Sequence, residues 1–331
     1  MLREASLKAI IEAAELLSNG ALVSFPTETV YGLGANALDG KAVARIYEAK
    51  GRPQFNPLIV HVPDLLHAKE FADFSDVALN VASKFWPGPL TLILPKKKDC
   101  AISDLCTAGL ETIALRVPSH PIAQDVLRRA ELPIAAPSAN KSGEPSPTAP
   151  IHVQQSLGDK VDMILAGGKC DVGLESTVLD LSGDKPFILR PGAITSEHLK
   201  GIIGDVDLHV ADDEDQSKPK SPGLLLKHYA PSCSVRLNAV DLEEGEALLG
   251  FGSLRFMGVK SGGAAMDLPD TQVRNLSESG DLYEAAANLF AYLRELDQPA
   301  HKGIAVMNIP GKGIGIAIND RLARAAVSSE K

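Results

Sequence analysis

The stretch ADDEDQSKPKSPG, Ala211 to Gly223, has no apolar anchor, a dense run of charge and two prolines. A segment of this chemistry cannot bury enough surface to offset the entropy of ordering it, so it reads as a linker. It divides a chain of 331 residues, already long for one ordinary core. The expected organisation is a domain over 1–208, a linker over 209–232 and a smaller domain over 233–331.

Local patterning on either side of the linker is of mixed type. Leu7, Ile10, Ile11, Ala14 and Leu17 follow the spacing of a buried helical face, closed by Asn19-Gly20. Asp39 is placed to cap a second helix that runs to Lys50 and stops at Gly51. Ser75 caps a third, broken by Pro87, and Ile122 to Ala130 is a fourth. Short apolar runs predict strands at 21–25, 58–62, 91–94, 112–117, 134–136, 163–165, 177–181 and 187–190. Strands and helices alternate irregularly, with several strand–strand neighbours, so the larger domain is an α/β fold on a twisted mixed sheet with flanking helices. Beyond the linker, strands at 247–251 and 304–309 and helices at 281–296 and 321–327 predict a smaller Rossmann-like α/β domain.

Charge and cysteine usage exclude several classes. The formal net charge is −9, and the portions before and after residue 210 are both acidic, so neither is a basic nucleic-acid platform. Cys100, Cys106, Cys170 and Cys233 form no C-x-x-C pair, and the histidines no metal-binding ladder. A disulfide framework and a protein-held metal are not expected, and the compartment reads as cytoplasm. Charged residues punctuate the N-terminus at helical spacing, and no apolar run is long enough to span a bilayer.

Chemistry concentrates where strands end. FPTETVYGLG, 25–34, puts hydroxyls and a carboxylate directly after a buried strand, either a capped turn or the lining of a cleft. Within it, Gly32 to Ala37 matches G-x-G-x-x-A. The glycines do not follow the strand directly, so they read as a tight turn rather than a dinucleotide fingerprint. KGRPQFNP, 50–57, sets Lys50 and Arg52 at a helix C-terminus. The helix dipole alone favours cations there, yet two fixed cations also suit polyphosphate. APSANKSGEPSPT, 136–148, offers amides and hydroxyls that can cradle phosphate. It is neither G-x-S-x-G nor a Walker motif. LRVP at 115–118, ESTV at 175–178 and LRPG at 189–192 repeat the theme. Gly311, Gly313 and Gly315, between a strand and a helix, are either an anion site or a turn without a ligand.

In this order PTETVYGLG, KGRP with NPLIVHV behind it, WPGPLT, LRVP, PSAN, ESTV and RPG resemble the YrdC-type domain of threonylcarbamoyl-AMP synthases. The match covers residues 1 to about 208. The linker and tail resemble the long, two-domain form, whose linker ends in S-P-G-M-K-Y-x-H-Y-A-P. Here it is SPGLLLKHYAP, 221–231, with Leu224-Leu225-Leu226 in place of Met-Lys-Tyr. The resemblance implies a nucleotidyltransferase that makes threonylcarbamoyl-adenylate and pyrophosphate from L-threonine, bicarbonate or CO2, and ATP with Mg2+. It also implies hand-over of the product to a transferase that modifies tRNA, with direct tRNA contact left open. By resemblance Lys50, Arg52, Asn56, Thr112, Ser138, Asn140, Ser146, Arg190 and Tyr229 serve ATP. Lys50 and Arg52 are the catalytic cations. Thr29, His61, Arg116, Ala136 and Ser176 serve threonine, with Arg116 gripping the carboxylate as a bidentate pair.

Two rivals stand beside this reading. A non-enzymatic RNA-binding module on the same fold would need a basic surface, against the acidic balance. A carbamoyl-adenylate enzyme of hydrogenase maturation would carry an acylphosphatase segment and zinc-finger cysteines, absent from this sequence. Tyr229 and its neighbours suggest a lid over the nucleotide. Truncation at Val210 tests this: loss of turnover is expected for a lid, and full activity would leave a plain tether.

Overall fold

A computed structural model describes residues 1–52, 56–208, 228–255, 257–260, 262, 265 and 268–327. It separates into two compact units. The first holds residues 1–142, 147–171 and 175–225; the second holds 143–146, 172–174 and 226–331.

The first unit is built on one sheet of eleven strands. They are β1 (Leu2–Glu4), β2 (Val23–Pro26), β3 (Tyr31–Asn36), β4 (Ile59–His61), β5 (Leu90–Pro95) and β6 (Thr112–Arg116), then β7 (Ile134–Ala135), β8 (Met163–Ala166), β9 (Thr177–Asp180), β10 (Phe187–Arg190) and β11 (Asp207–Leu208). The order is β1-β8-β2-β3-β7-β4-β6-β5-β9-β10-β11, with parallel and antiparallel pairs mixed as the irregular alternation predicts. The helices are α1 (Leu7–Ser18), α2 (Gly40–Lys50), α3 (Leu65–Ala68), α4 (Asp76–Phe85), α5 (Asp104–Thr107), α6 (Pro121–Ala130), α7 (Pro150–Leu157) and α8 (Ser196–Ile203). Asp39 caps α2 by accepting from the Lys41 amide, and Gly51 ends it at φ 60°. Ser75 caps α4.

The two faces of the sheet are covered unequally. On one, α2, α4, α5, α7 and α8 enclose the main core around Leu33, Val60, Leu92, Leu115 and Leu179. On the other, α1 and α6 pack over Val23, Phe25, Ile134, Met163 and Leu165. Farther along that second face, on β4, β6, β5, β9 and β10, a separate small cluster is formed by Ile59, Ala114, Ile93, Val178 and Leu189. It makes an apolar floor beside the helix-covered half.

The glycine pair Gly32 and Gly34 is not the tight turn expected from sequence; both lie inside β3. Their role is close approach. A Cβ on Gly34 would sit 2.7 Å from Phe25 Cε1 and 3.1 Å from both Ile134 Cγ2 and the Val23 carbonyl oxygen. A period-two pattern interrupted by glycines hides a strand that glycine is there to pack.

In the second unit, β12 (Ser234–Arg236), β14 (Glu246–Gly250), β16 (Val273–Asn275) and β17 (Gly303–Val306) form a parallel sheet in the order β12-β17-β14-β16. A short pair, β13 (Asp241–Leu242) with β15 (Gly258–Val259), stands apart. Helices α9 (Leu282–Leu296) and α10 (Gly315–Ala326) complete it, so α10 begins six residues before the expected Arg321. The glycine turn before α10 closes on itself. The amides of Gly315, Ile316 and Ala317 donate to the carbonyls of Lys312, Gly313 and Ile314, which favours the turn over an anion site. No described helix is long and apolar enough to cross a membrane.

Gly34→Ala is expected to destabilise the protein by about 1–3 kcal/mol through overpacking, read as a lowered denaturation midpoint. Gly183→Ala, which meets nothing within 4 Å, is the control and should stay within about 0.5 kcal/mol of the parent.

Candidate active site

Register places the polar residues in a single row. His61 of β4 is the partner of Arg116 in β6, Arg116 of Thr91 in β5, Thr91 of Val178 in β9, and Val178 of Arg190 in β10. Partners in register share a face, so His61, Arg116, Thr91 and Arg190 rise from the edge of the floor made by Ile59, Ala114 and Val178. Ser176, two residues before Val178, and Ala136, two after Ile134 (the His61 partner in β7), share that face. All are buried.

The row is cross-linked. Thr91 and Ser176 hydroxyls lie 2.8 Å apart. Arg190 donates through Nε to the Ser176 carbonyl and through Nη2 to its hydroxyl, both at 3.1 Å. Gly192 allows this seat, since a Cβ there would meet the Thr177 nitrogen at 2.5 Å. Thr177 Oγ1 also donates to the Ile194 carbonyl. ESTV and RPG, distant in sequence, are thus one structure.

Arg116 has a partner that the sequence reading did not assign. Its Nη2 donates to Glu28 Oε1 at 2.6 Å, and its Nε to the Gly88 carbonyl at 3.3 Å. The second Glu28 oxygen accepts from the Ser119 amide. Burial alone would push the Glu28 carboxyl up, but the charge and hydrogen bond of Arg116, with the Ser119 amide, hold it below the usual carboxylate range. With Nε and one N–H of Nη2 engaged, Nη1 and the second N–H of Nη2 are left as Arg116 donors without a described partner.

The loop between β2 and β3 carries Thr27, Glu28 and Thr29, all buried. Thr27 Oγ1 donates to the Val30 carbonyl and lies 2.8 Å from Thr29 Oγ1. His61 is fully enclosed. Burial first, and then the Arg116 charge, push its imidazole down to about 3, so the ring is neutral at ordinary pH. Its Nδ1 faces the Ile59 carbonyl at 3.2 Å. That tautomer leaves Nε2 as an acceptor.

The residues expected on the nucleotide side fall along and beyond the same face. Thr112 lies on the Arg116 side of β6, four residues or roughly 13 Å away. Register brings Pro57 level with it, and the Pro57 carbonyl accepts from Arg52 Nη2 at 3.2 Å. Asn56, buried, has no described partner for Oδ1. Lys50 Nζ donates to the carbonyls of Ser138 at 2.5 Å and Asn140 at 2.6 Å, while its own carbonyl accepts from the Ser142 amide. A cation at the end of α2 thereby fixes the PSAN loop. Pro53 lies outside the described residues, as does most of the linker with Leu224 to Leu226.

Ser146 and Tyr229 belong to the second unit. Tyr229, at φ 64°, is buried with its ring 5.3 Å from that of Phe290 and the Arg321 guanidinium 5.5 Å above it. It is a core residue of that unit.

A family model described as "Telomere recombination" matches residues 15–192. A second, "Threonylcarbamoyl-AMP synthase, C-terminal domain", matches 194–327. The threonylcarbamoyl-AMP synthase of Bacillus subtilis is 41% identical over 328 residues, covering 96% of this chain and 92% of its own. That of Schizosaccharomyces pombe is 37% identical, covering 96% and 88%. A crystal structure of Pyrococcus abyssi Sua5 complexed with L-threonine superposes at TM-score 0.85 and 37% identity, over 99% of this chain and 96% of that one. Escherichia coli YciO matches at TM-score 0.50 and 26% identity, over 58% of this chain. The sheet and its site define an α/β enzyme of the YrdC-like fold. The chain belongs to the threonylcarbamoyl-AMP synthase family.

Two predictions follow the electrostatics. Keeping His61 neutral contributes stability that is complete above about 6.5 and is lost as pH falls towards about 3. Denaturation midpoints should decline across that window, and His61→Gln should flatten the decline. Glu28→Gln removes the charge facing buried Arg116 and is expected to cost about 3–5 kcal/mol near neutral pH.

Proposed function

We propose that this protein condenses L-threonine, bicarbonate or CO2, and ATP into threonylcarbamoyl-adenylate, releasing pyrophosphate. The observation that carries the proposal is one sheet face bearing a neutral imidazole, a paired arginine and hydroxyls at one end. An apolar floor and Thr112 lie towards the other. Threonine is anionic at its carboxylate and polar at its side chain, and the Arg116–Thr91–Ser176–His61 row supplies a partner for each. Arg116 takes the carboxylate through Nη1 and the remaining N–H of Nη2, the bidentate pair that the resemblance implies. Thr29 and the His61 Nε2 acceptor face the threonine hydroxyl or amine. The floor of Ile59, Ile93, Ala114, Val178 and Leu189 suits the flat apolar surface of a nucleoside.

ATP carries its charge to fixed cations. Lys50 and Arg52 receive the phosphates, with Asn56 Oδ1, Ser138 and Asn140 as neutral partners. Arg190, bonded to Ser176, stands where phosphate and amino acid meet. Among the described residues no three carboxylates, histidines or cysteines converge as a metal cage. Mg2+ would come with ATP on its phosphates, whose charge it would neutralise. The threonine amine bonds to carbon dioxide and releases a proton to solvent, giving a carbamate, and a carbamate oxygen then bonds to the α-phosphorus as its bond to pyrophosphate breaks. The protein's part is positioning and charge stabilisation; no side-chain nucleophile is required. The product goes on to a transferase that modifies tRNA.

Lys50→Ala and Arg52→Ala should each lower threonine-dependent pyrophosphate release on the order of 100-fold. Near-normal turnover in both variants would remove the phosphate role.

A further inference from the structure

Tyr31, wholly enclosed at the start of β3, carries a hydroxyl that the proposed reaction does not use. That hydroxyl donates to the Gly168 carbonyl at 2.8 Å and accepts from the Gly167 amide at 3.1 Å. Burial pushes the phenol up, so it keeps its proton at ordinary pH and remains a donor. Gly167 in turn lies against Pro26. A Cβ on Gly167 would fall 2.7 Å from Pro26 Cγ and 2.4 Å from Ile122 Cδ1.

Pro26 and Tyr31 are register partners in β2 and β3. They are the two ends of the loop that carries Thr27, Glu28 and Thr29. Both ends therefore rest on one pair of glycines, which follows β8 directly. Within the loop, Thr27 Oγ1 accepts from the Val30 amide and donates to the Val30 carbonyl, which leaves little slack between anchor and tip. At the tip Glu28 holds Arg116. All of these residues lie in the first unit. The main chain of Tyr31 serves a different neighbour. Its amide donates to the Pro147 carbonyl and its carbonyl accepts from the Ala139 amide, both at 2.8 Å. Those bonds tie the PSAN loop, whose Ser138 and Asn140 carbonyls receive Lys50. They persist when only the side chain changes.

We propose that Tyr31 is a positioning residue: its hydroxyl, through Gly167 and Gly168, fixes the Glu28 loop and so the Arg116 guanidinium that takes the threonine carboxylate. This rests on the function proposed above. The hydroxyl acts on the threonine side alone, because the ATP side is tied to the same residue through main chain.

The test is steady-state pyrophosphate release by the full chain, with threonine and ATP varied separately. Tyr31→Phe removes the hydroxyl and keeps the ring. Gly167 is half-buried and Gly168 exposed, so water takes up their released backbone groups and the fold is kept. Tyr31→Phe should raise KM for threonine about tenfold, leaving KM for ATP within about twofold and kcat within about threefold. Gly167→Ala displaces the same glycine pair by steric means and should give the same split. Acting through one contact, the double variant should stay near the larger single change, against the roughly hundredfold rise of two independent sites. Equal changes in both KM values, a fall in kcat alone, an unchanged KM for threonine or a hundredfold double variant would overturn the proposal. Either single variant decides the matter if the other does not fold. A parent enzyme without threonine-dependent release would remove the functional proposal and this inference together. An active parent with unaffected variants would remove only the inference.

Discussion

Arg116 keeps its charge inside the protein because Glu28 lies 2.6 Å away, with both side chains almost wholly enclosed. A buried arginine facing no carboxylate would be strongly destabilising. The pair does more than neutralise. Glu28 stands on the loop between β2 and β3 and Arg116 on β6, so the bond ties two separate parts of the sheet together. It turns the guanidinium so that Nη1 and one N–H of Nη2 remain as donors, and the Arg116 charge adds to burial in keeping His61 uncharged. Loop and strand both depend on this one contact.

The sheet explains why the site lies where it does. Helices α1 and α6 cover one half of a face, and the other half carries the small cluster of Ile59, Ile93, Ala114, Val178 and Leu189. Strand register then aligns His61, Arg116, Thr91 and Arg190 across four strands that come from distant parts of the chain. Backbone carbonyls hold the remaining cations in place: Lys50 on those of Ser138 and Asn140, Arg52 on that of Pro57. A preorganised set of this kind requires little rearrangement when anions bind.

Much of this was legible in the sequence, for identifiable reasons. Caps at Asp39, Ser75 and Gly51 are local signals, and the helices begin and end where those residues direct. The mixed sheet followed from strands that neighbour strands. What stayed hidden is non-local. Glu28 was visible as part of PTET, but nothing in the sequence says that it pairs with a residue 88 positions on. Thr91 lay within WPGPLT, and only register sets it between Arg116 and Ser176. Gly32 and Gly34 were read as a turn because the packing of Ala136 near Gly32, and of Phe25 and Ile134 against Gly34, cannot be seen in one dimension. Short elements such as α3 and α5 carry too few residues for periodicity to show.

The central claim is that this sheet face joins a carbamate made on threonine to the α-phosphate of ATP. The most direct test is mass spectrometry of the reaction of purified full chain with ATP, L-threonine and isotopically labelled bicarbonate. The account predicts a threonyl-carbamoyl adenylate that carries the label, formed together with pyrophosphate and absent when threonine is omitted. ATP turnover that is indifferent to threonine, or an adenylate without the label, would contradict it.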